Sequence, residues 1–235
     1  RQARSDGCRH WLLNEINLTS ARVLCRILDG TALNGRGTRG HTDHDNWCGK
    51  AAPTMNDKPT SITDTKPARK RLFAMLDALG IETTTHFHAP VFTVKENRET
   101  RGELPGAHCK SLFLRDNKGI EWLVVTLEER PLNMKALAGV IGAARLSFGS
   151  ARRLGERLGV APGAVSPLAL INDCAAEVQV VLDAEIMAAN VANFHPLTND
   201  ATTVITPTDL LRFIAKCGHS VQVIDLASAT KVFDN

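Results

Sequence analysis

From residue 66 onward, apolar positions come in short runs broken by Gly, Pro, Asn and Asp, and this punctuation predicts many small elements. Ser111 to Arg115 and Ile120 to Val125 are apolar runs rich in Leu, Val, Phe and Trp around Asp116-Asn117-Lys118-Gly119, so they read as a β-hairpin closed by a tight turn. Thr83 to Phe87 alternates as a strand. Helices are predicted where a capping residue precedes an apolar stripe. Thr65 with Pro67 opens one carrying Leu72, Phe73, Leu76 and Leu79 and stopped by Gly80. Thr93 with Glu96 forms a capping box for a short helix. Asn133 caps Met134 to Ile141, Ser150 caps a helix carrying Leu154 and Leu158, and Thr206 caps one begun by Pro207 and lined by Leu210, Leu211 and Ile214. Arg145 to Phe148 and Val221 to Leu226 are expected strands. Leu168 to Ile171 and Val178 to Leu182, on either side of Asn172-Asp173, are expected to pair. Strand pairs interleaved with single helices predict an α+β fold, a mixed and mostly antiparallel sheet flanked by helices.

Residues 1–54 lack this rhythm apart from weak periodicity between Trp11 and Leu28, and Met55-Asn56-Asp57-Lys58 looks like a natural start. The expectation is a poorly ordered extension over 1–54, not native to the protein, ahead of a single domain at 55–235. Gly35-Arg36-Gly37-Thr38-Arg39-Gly40 fits a dinucleotide fingerprint in letters only, since no strand precedes it and no helix follows. His41, His44 and Cys48, with Cys8 and His10, have zinc-ligand chemistry but not the compact paired spacing of a structural site.

The net charge of +3 comes from that segment, which holds eight Lys/Arg and five Asp/Glu; the remainder has 28 − 8 = 20 basic and 25 − 5 = 20 acidic residues. A polyanion would therefore meet a local basic patch, such as Lys66, Arg69, Lys70 and Arg71, and no general attractive field. Six scattered cysteines without a C-x-x-C pair favour reduced thiols and a cytoplasmic location, and no apolar run is long enough to cross a membrane.

Three loops carry candidate chemistry. Lys110 stands where Leu104-Pro105-Gly106-Ala107-His108 gives way to the hairpin; a cation there could fix a phosphate or a carbonyl oxygen, or be a solvated strand-end lysine. Gly163-Ala164-Val165-Ser166-Pro167 can present backbone N–H groups, with Ser166 most simply a turn serine. His195, in Asn193-Phe194-His195-Pro196-Leu197, is a possible acid or base, or a loop-fixing partner. Cys109 alternates onto the face opposite Lys110 and reads as packing.

Taken in order, His88-Ala89-Pro90-Val91-Phe92-Thr93, Gly106 through Leu114, Arg145 through Phe148, Gly163 through Pro167, Leu170 through Asp173 and Asn193 through Leu197 resemble the YbaK/ProRS-associated prolyl-tRNA editing domain family, and most closely its stand-alone alanyl-tRNA(Pro) deacylase branch. The resemblance implies helices around a curved mixed sheet and hydrolysis of the ester joining a wrong amino acid to tRNA(Pro). It also implies the acceptor end of mischarged tRNA as partner, with prolyl-tRNA synthetase as a second one. Onto this sequence it maps the family's lysine, G-x-x-x-P loop and pocket histidine as Lys110, Gly163 through Pro167 and His195, so that Lys110, Gly163 and His195 are expected as catalytic residues and Ala164, Val165, Ser166 and Pro167 as substrate-binding ones; placement beside these loops adds Val91, Phe92 and Thr93 to the expected substrate-binding residues. Ser111, where relatives often have Asn, and Ala169, where they often have Gly, are departures that bear on substrate choice.

The chemistry expected is water attack without metal, cofactor or covalent intermediate, since neither G-x-S-x-G nor H-E-x-x-H occurs. Backbone donors near Gly163 would stabilise the oxyanion, Lys110 would hold the terminal phosphate or orient the ester, and His195 would steer water or a ribose hydroxyl. A small pocket walled by Val91, Phe92, Val165 and Leu168 would admit alanine and exclude proline. Two alternatives stay open: a deacylase for cysteinyl- or seryl-tRNA, and a tRNA-binding module without catalysis.

Overall fold

The computed structural model describes residues 66–90 and 104–230, all within the compact unit Thr42–Asn235. The motifs at 35–48, Met55, the capping box at Thr93 and Glu96, and the predicted pocket residues Val91, Phe92 and Thr93 lie outside the described residues.

The elements are α1 (Lys66–Ala78), β1 (Thr84–Phe87), β2 (Ala107–Asp116), β3 (Glu121–Leu127), α2 (Met134–Ile141), β4 (Leu146–Phe148), α3 (Ala151–Leu158), a 3-10 helix (Pro167–Asn172), β5 (Gln179–Asp183), α4 (Ala184–Met187), β6 (Ala192–Phe194), β7 (Ala201–Ile205), α5 (Pro207–Lys216), β8 (Val221–Ile224) and a last 3-10 helix (Leu226–Thr230). The strands form a sheet in the order β1-β7-β6-β2-β3-β5-β8, with β4 also paired to β2. Pairings β1/β7, β2/β3, β2/β4 and β6/β7 are antiparallel, while β2/β6, β3/β5 and β5/β8 are parallel. The fold is the expected α+β one, a mixed and mostly antiparallel sheet flanked by helices.

The hairpin is the spine of this sheet. Along β3, Leu123 and Val125 join the larger core with α1, α3 and α5, whereas Trp122 and Val124 join a second core under α2 and the last 3-10 helix. Covered on both faces, the middle of β3 places apolar side chains at successive positions, which is why Trp122 to Val125 runs without a polar residue. Gly119, at φ +93°, closes the turn that sets the register from Cys109↔Leu127 to Arg115↔Glu121. Each predicted cap inside the described segments is made: Asn133 accepts from the N–H groups of Lys135 and Ala136, Ser150 from Arg153, and Thr206 from Asp209.

Three expectations are corrected. Leu168 to Ile171 is not a strand: Ser166 Oγ accepts from the Leu168 N–H at 3.0 Å and Pro167 pre-sets the first turn, so the segment winds as a 3-10 helix. Val180 consequently pairs in parallel with Leu123 and Val221. Lys110 is not at the mouth of its strand, because Ala107 and His108 pair with Ala192 and Asn193 and extend β2 by three residues before it. Cys109 and Cys217 are free thiols, but Cys174 is disulfide-bonded, against the expectation of reduced cysteines throughout.

Candidate active site

The parallel pair β2/β6 and the antiparallel pair β6/β7 bring three distant segments together at one small recess. Its described walls are His108, Cys109, Ser111, Val165, Asn193, Phe194, His195 and Thr202. The centre of a water-sized sphere can move through about 30 Å³ within it, room for one or two waters.

His195 follows directly on β6, and its Nδ1 lies 2.8 Å from the Ala201 carbonyl of β7. A carbonyl can only accept, so Nδ1 carries the proton and Nε2 is left as an acceptor. Burial holds the imidazole below its ordinary value, with the nearby His88 ring acting in the same direction and the Ala201 carbonyl opposing. The ring is therefore neutral near neutral pH, with one tautomer set by the backbone. His88 sits beside it, ring centroids 6.1 Å apart, its Nδ1 2.8 Å from the Ala89 carbonyl and its Nε2 3.0 Å from Thr202 Oγ1. The Cys109 thiol is pushed up to about 12, chiefly by burial, so it stays protonated and unreactive on the recess wall.

Of the residues expected from the sequence to be catalytic or substrate-binding, His195 and Val165 reach this recess. Ala164, Ser166 and Pro167 are buried and are not among the described lining residues; Ala164 belongs to the larger core, and the Ser166 hydroxyl is taken up by its cap. Gly163 lies exposed in the preceding turn at φ +89°. Lys110 is not among the described lining residues. Side chains alternate along β2, so with Cys109 and Ser111 on the recess side, Lys110 projects to the other face. There its amine donates to the Arg130 carbonyl, and its cross-strand neighbour Thr126 donates to Asp183 at 2.7 Å. Burial, with a smaller opposing influence from Glu128, lowers the Lys110 amine below the usual lysine range. Asn193, Thr202, His108 and Ser111 were not read as site residues. His88 and Ser111 stood within the motifs quoted, whereas nothing local marks Thr202, whose place depends on β7 pairing.

Similarity to other proteins agrees with this arrangement. The aminoacyl-tRNA editing domain family matches residues 88–213, more than half of the chain. The chain belongs to that family. It is 37% identical over 160 residues to the prolyl-tRNA editing protein ProX of Acetoanaerobium sticklandii, covering 68% of this chain and 98% of that one. It is 40% identical over 158 residues to prolyl-tRNA synthetase associated domain-containing protein 1 of Danio rerio, covering 66% and 86%. A crystal structure described as a candidate trans-editing enzyme for prolyl tRNA synthetase shares the fold, at TM-score 0.52 and 22% identity over 68% of this chain and 97% of that one. The matched region spans every described wall of the recess. No helix among the described residues is long and apolar enough to cross a membrane.

Proposed function

We propose that the protein is a trans-editing deacylase that hydrolyses the ester of mischarged tRNA(Pro), with alanyl-tRNA(Pro) as its substrate. The observation that carries this reading is His195: a neutral imidazole in a single tautomer, on the wall of a recess with room for only one or two water-sized groups, in an editing-domain chain. With Nδ1–H committed to Ala201, Nε2 can accept from an attacking water or from the ribose hydroxyl next to the ester. The turn at Gly163 leads into Val165 on the wall, and backbone N–H groups of that segment are the candidate oxyanion donors, each typically worth ~3 kcal/mol in the transition state. Lys110, on the far face of β2, suits the phosphate role better than contact with the ester. These steps use the imidazole and backbone donors and invoke neither metal nor cofactor.

Size supports alanine over proline. A synthetase site built for proline discriminates poorly against a smaller side chain, since each missing methylene is worth only ~1–3 kcal/mol. A second cavity that excludes the larger substrate supplies the rest. The acceptor end of tRNA(Pro) is then the principal partner, prolyl-tRNA synthetase a second one in keeping with the relatives' names, and the cytoplasm the place of action. A panel of alanyl-, seryl-, cysteinyl- and prolyl-tRNA tests the reading. Fast release of alanine with prolyl-tRNA(Pro) spared is expected; a protein that binds tRNA(Pro) but cleaves none of the four is a binding module.

A further inference from the structure

A residue of the recess wall, Asn193, carries a buried polar atom that the fold leaves unused. Asn193 is 5% exposed, and its side-chain nitrogen donates to the carbonyls of Pro105 at 2.9 Å and Ala107 at 3.3 Å. Two carbonyls facing the amide nitrogen decide which way the amide is turned, because carbonyl oxygens cannot donate. Asn193 Oδ1 is thereby fixed as an acceptor, and it has no hydrogen-bond partner although Asn193 is part of the recess wall. A buried acceptor without a donor is costly, and a ligand that brings a donor offsets that cost.

Thr202, also 5% exposed, supplies a second acceptor. His88 Nδ1 donates to the Ala89 carbonyl, and in that tautomer Nε2 accepts the hydrogen of the Thr202 hydroxyl. With its one hydrogen committed, Thr202 Oγ1 can only accept from a ligand. The described lining holds no carboxylate and no lysine or arginine. Two fixed acceptors therefore select a donor group of compact size.

We infer that Asn193 Oδ1 and Thr202 Oγ1 form the subsite for the α-ammonium of the esterified amino acid. The inference rests on the deacylase reading for the identity of the ligand. In an alanyl ester the methyl and the carbonyl donate nothing, so the ammonium is the only hydrogen-bond donor of the acyl portion. A charged donor also makes the stronger bonds. The pair thus restricts the site to free aminoacyl ends, and N-acylated or desamino esters lose the contact.

The test uses two acceptor-stem hairpin RNAs whose terminal adenosine carries alanine or propionate through a non-hydrolysable amide, so that they differ only in the amine. Calorimetry on the wild-type protein should show the alanyl RNA bound roughly tenfold tighter or more, as expected for bonds to a charged group. In Asn193→Ala that ratio should fall towards one, and in Thr202→Val part of the way. A purely structural role for either residue would weaken both RNAs together and leave the ratio unchanged. A wild-type ratio near one, no measurable binding of either RNA, or a wild-type ratio persisting in folded Asn193→Ala overturns the inference. Should Asn193→Ala fail to fold, an unchanged ratio in Thr202→Val overturns it equally. Because binding is read and not hydrolysis, a protein that discriminates between the RNAs but cleaves no ester keeps this subsite and loses the deacylase reading; one that cleaves with a ratio of one does the reverse.

Discussion

Strands β3 and β7 are buried to a similar depth and are built from opposite materials. β3 fills its interior with Trp122, Leu123, Val124 and Val125, each 5% exposed or less. β7 places Thr202 at 5% and Thr203 at 0% between Ala201 and Ile205. Apolar burial at β3 stabilises the sheet directly. The buried hydroxyls at β7 need partners, found in His88 and Thr85, and they give little net stability in return. The difference separates burial that holds the fold from burial of polar groups that the proposed ligand site would use.

The contrast can be broken from either end. The largest effect expected is on stability at the spine: Leu123→Ala, fully buried in the larger core, should cost about 2–5 kcal/mol in urea unfolding. The relative rates on alanyl and prolyl esters should not change. An altered substrate preference in that variant would mean that the two regions are not separable. Next, His195→Ala should lower the deacylation rate about a hundredfold or more while shifting the urea midpoint little, the size expected of a general acid–base group. A large loss of stability with unchanged rate would make His195 a loop-fixing residue.

The pH dependence follows from the same imidazole. Its folded-state value lies below the ordinary 6.5, so between those two values the unfolded chain binds more protons than the folded one. The His195 contribution to stability is thus complete above 6.5 and is lost as pH falls through the lower value. Deacylation should fall over that lower window as Nε2 is protonated, and a rate profile that instead breaks at or above 6.5 would place the essential group elsewhere. The smallest effect is at the Thr85–Thr203 hydroxyl pair, 2.9 Å apart. Thr85→Val should cost about 1 kcal/mol by leaving Thr203 without a partner, and the double replacement by Val should be nearly neutral. A double variant as unstable as the sum of two losses would show that β7 polarity supports the fold after all.

The same contrast explains what was legible. The hairpin, α2, α3 and α5 were visible because their signals are local: a turn glycine, a capping side chain, an apolar period. β6 was read as loop and β7 was not predicted, since Asn193, Thr202 and Thr203 look polar and the pairings that bury β7 join residues separated by most of the domain, as Thr202 does with His86. The 3-10 helix after Ser166 was mistaken for a strand because a four-residue apolar run has no period of its own. His195 was singled out through motif resemblance, as was Val165 within the Gly163–Pro167 loop, and both line the recess. Lys110 shows the reverse case. Alternation had already set Cys109 and Lys110 on opposite faces, and the structure puts Cys109 on the recess wall and the lysine amine against Arg130.

The most direct test is single-turnover hydrolysis of alanyl-tRNA(Pro) and prolyl-tRNA(Pro) by the wild-type protein and by His195→Ala. Rapid release of alanine, retention of proline, and collapse of the alanine rate in the variant are predicted. Hydrolysis of both esters at equal rates, or an undiminished alanine rate without the imidazole, would contradict the account.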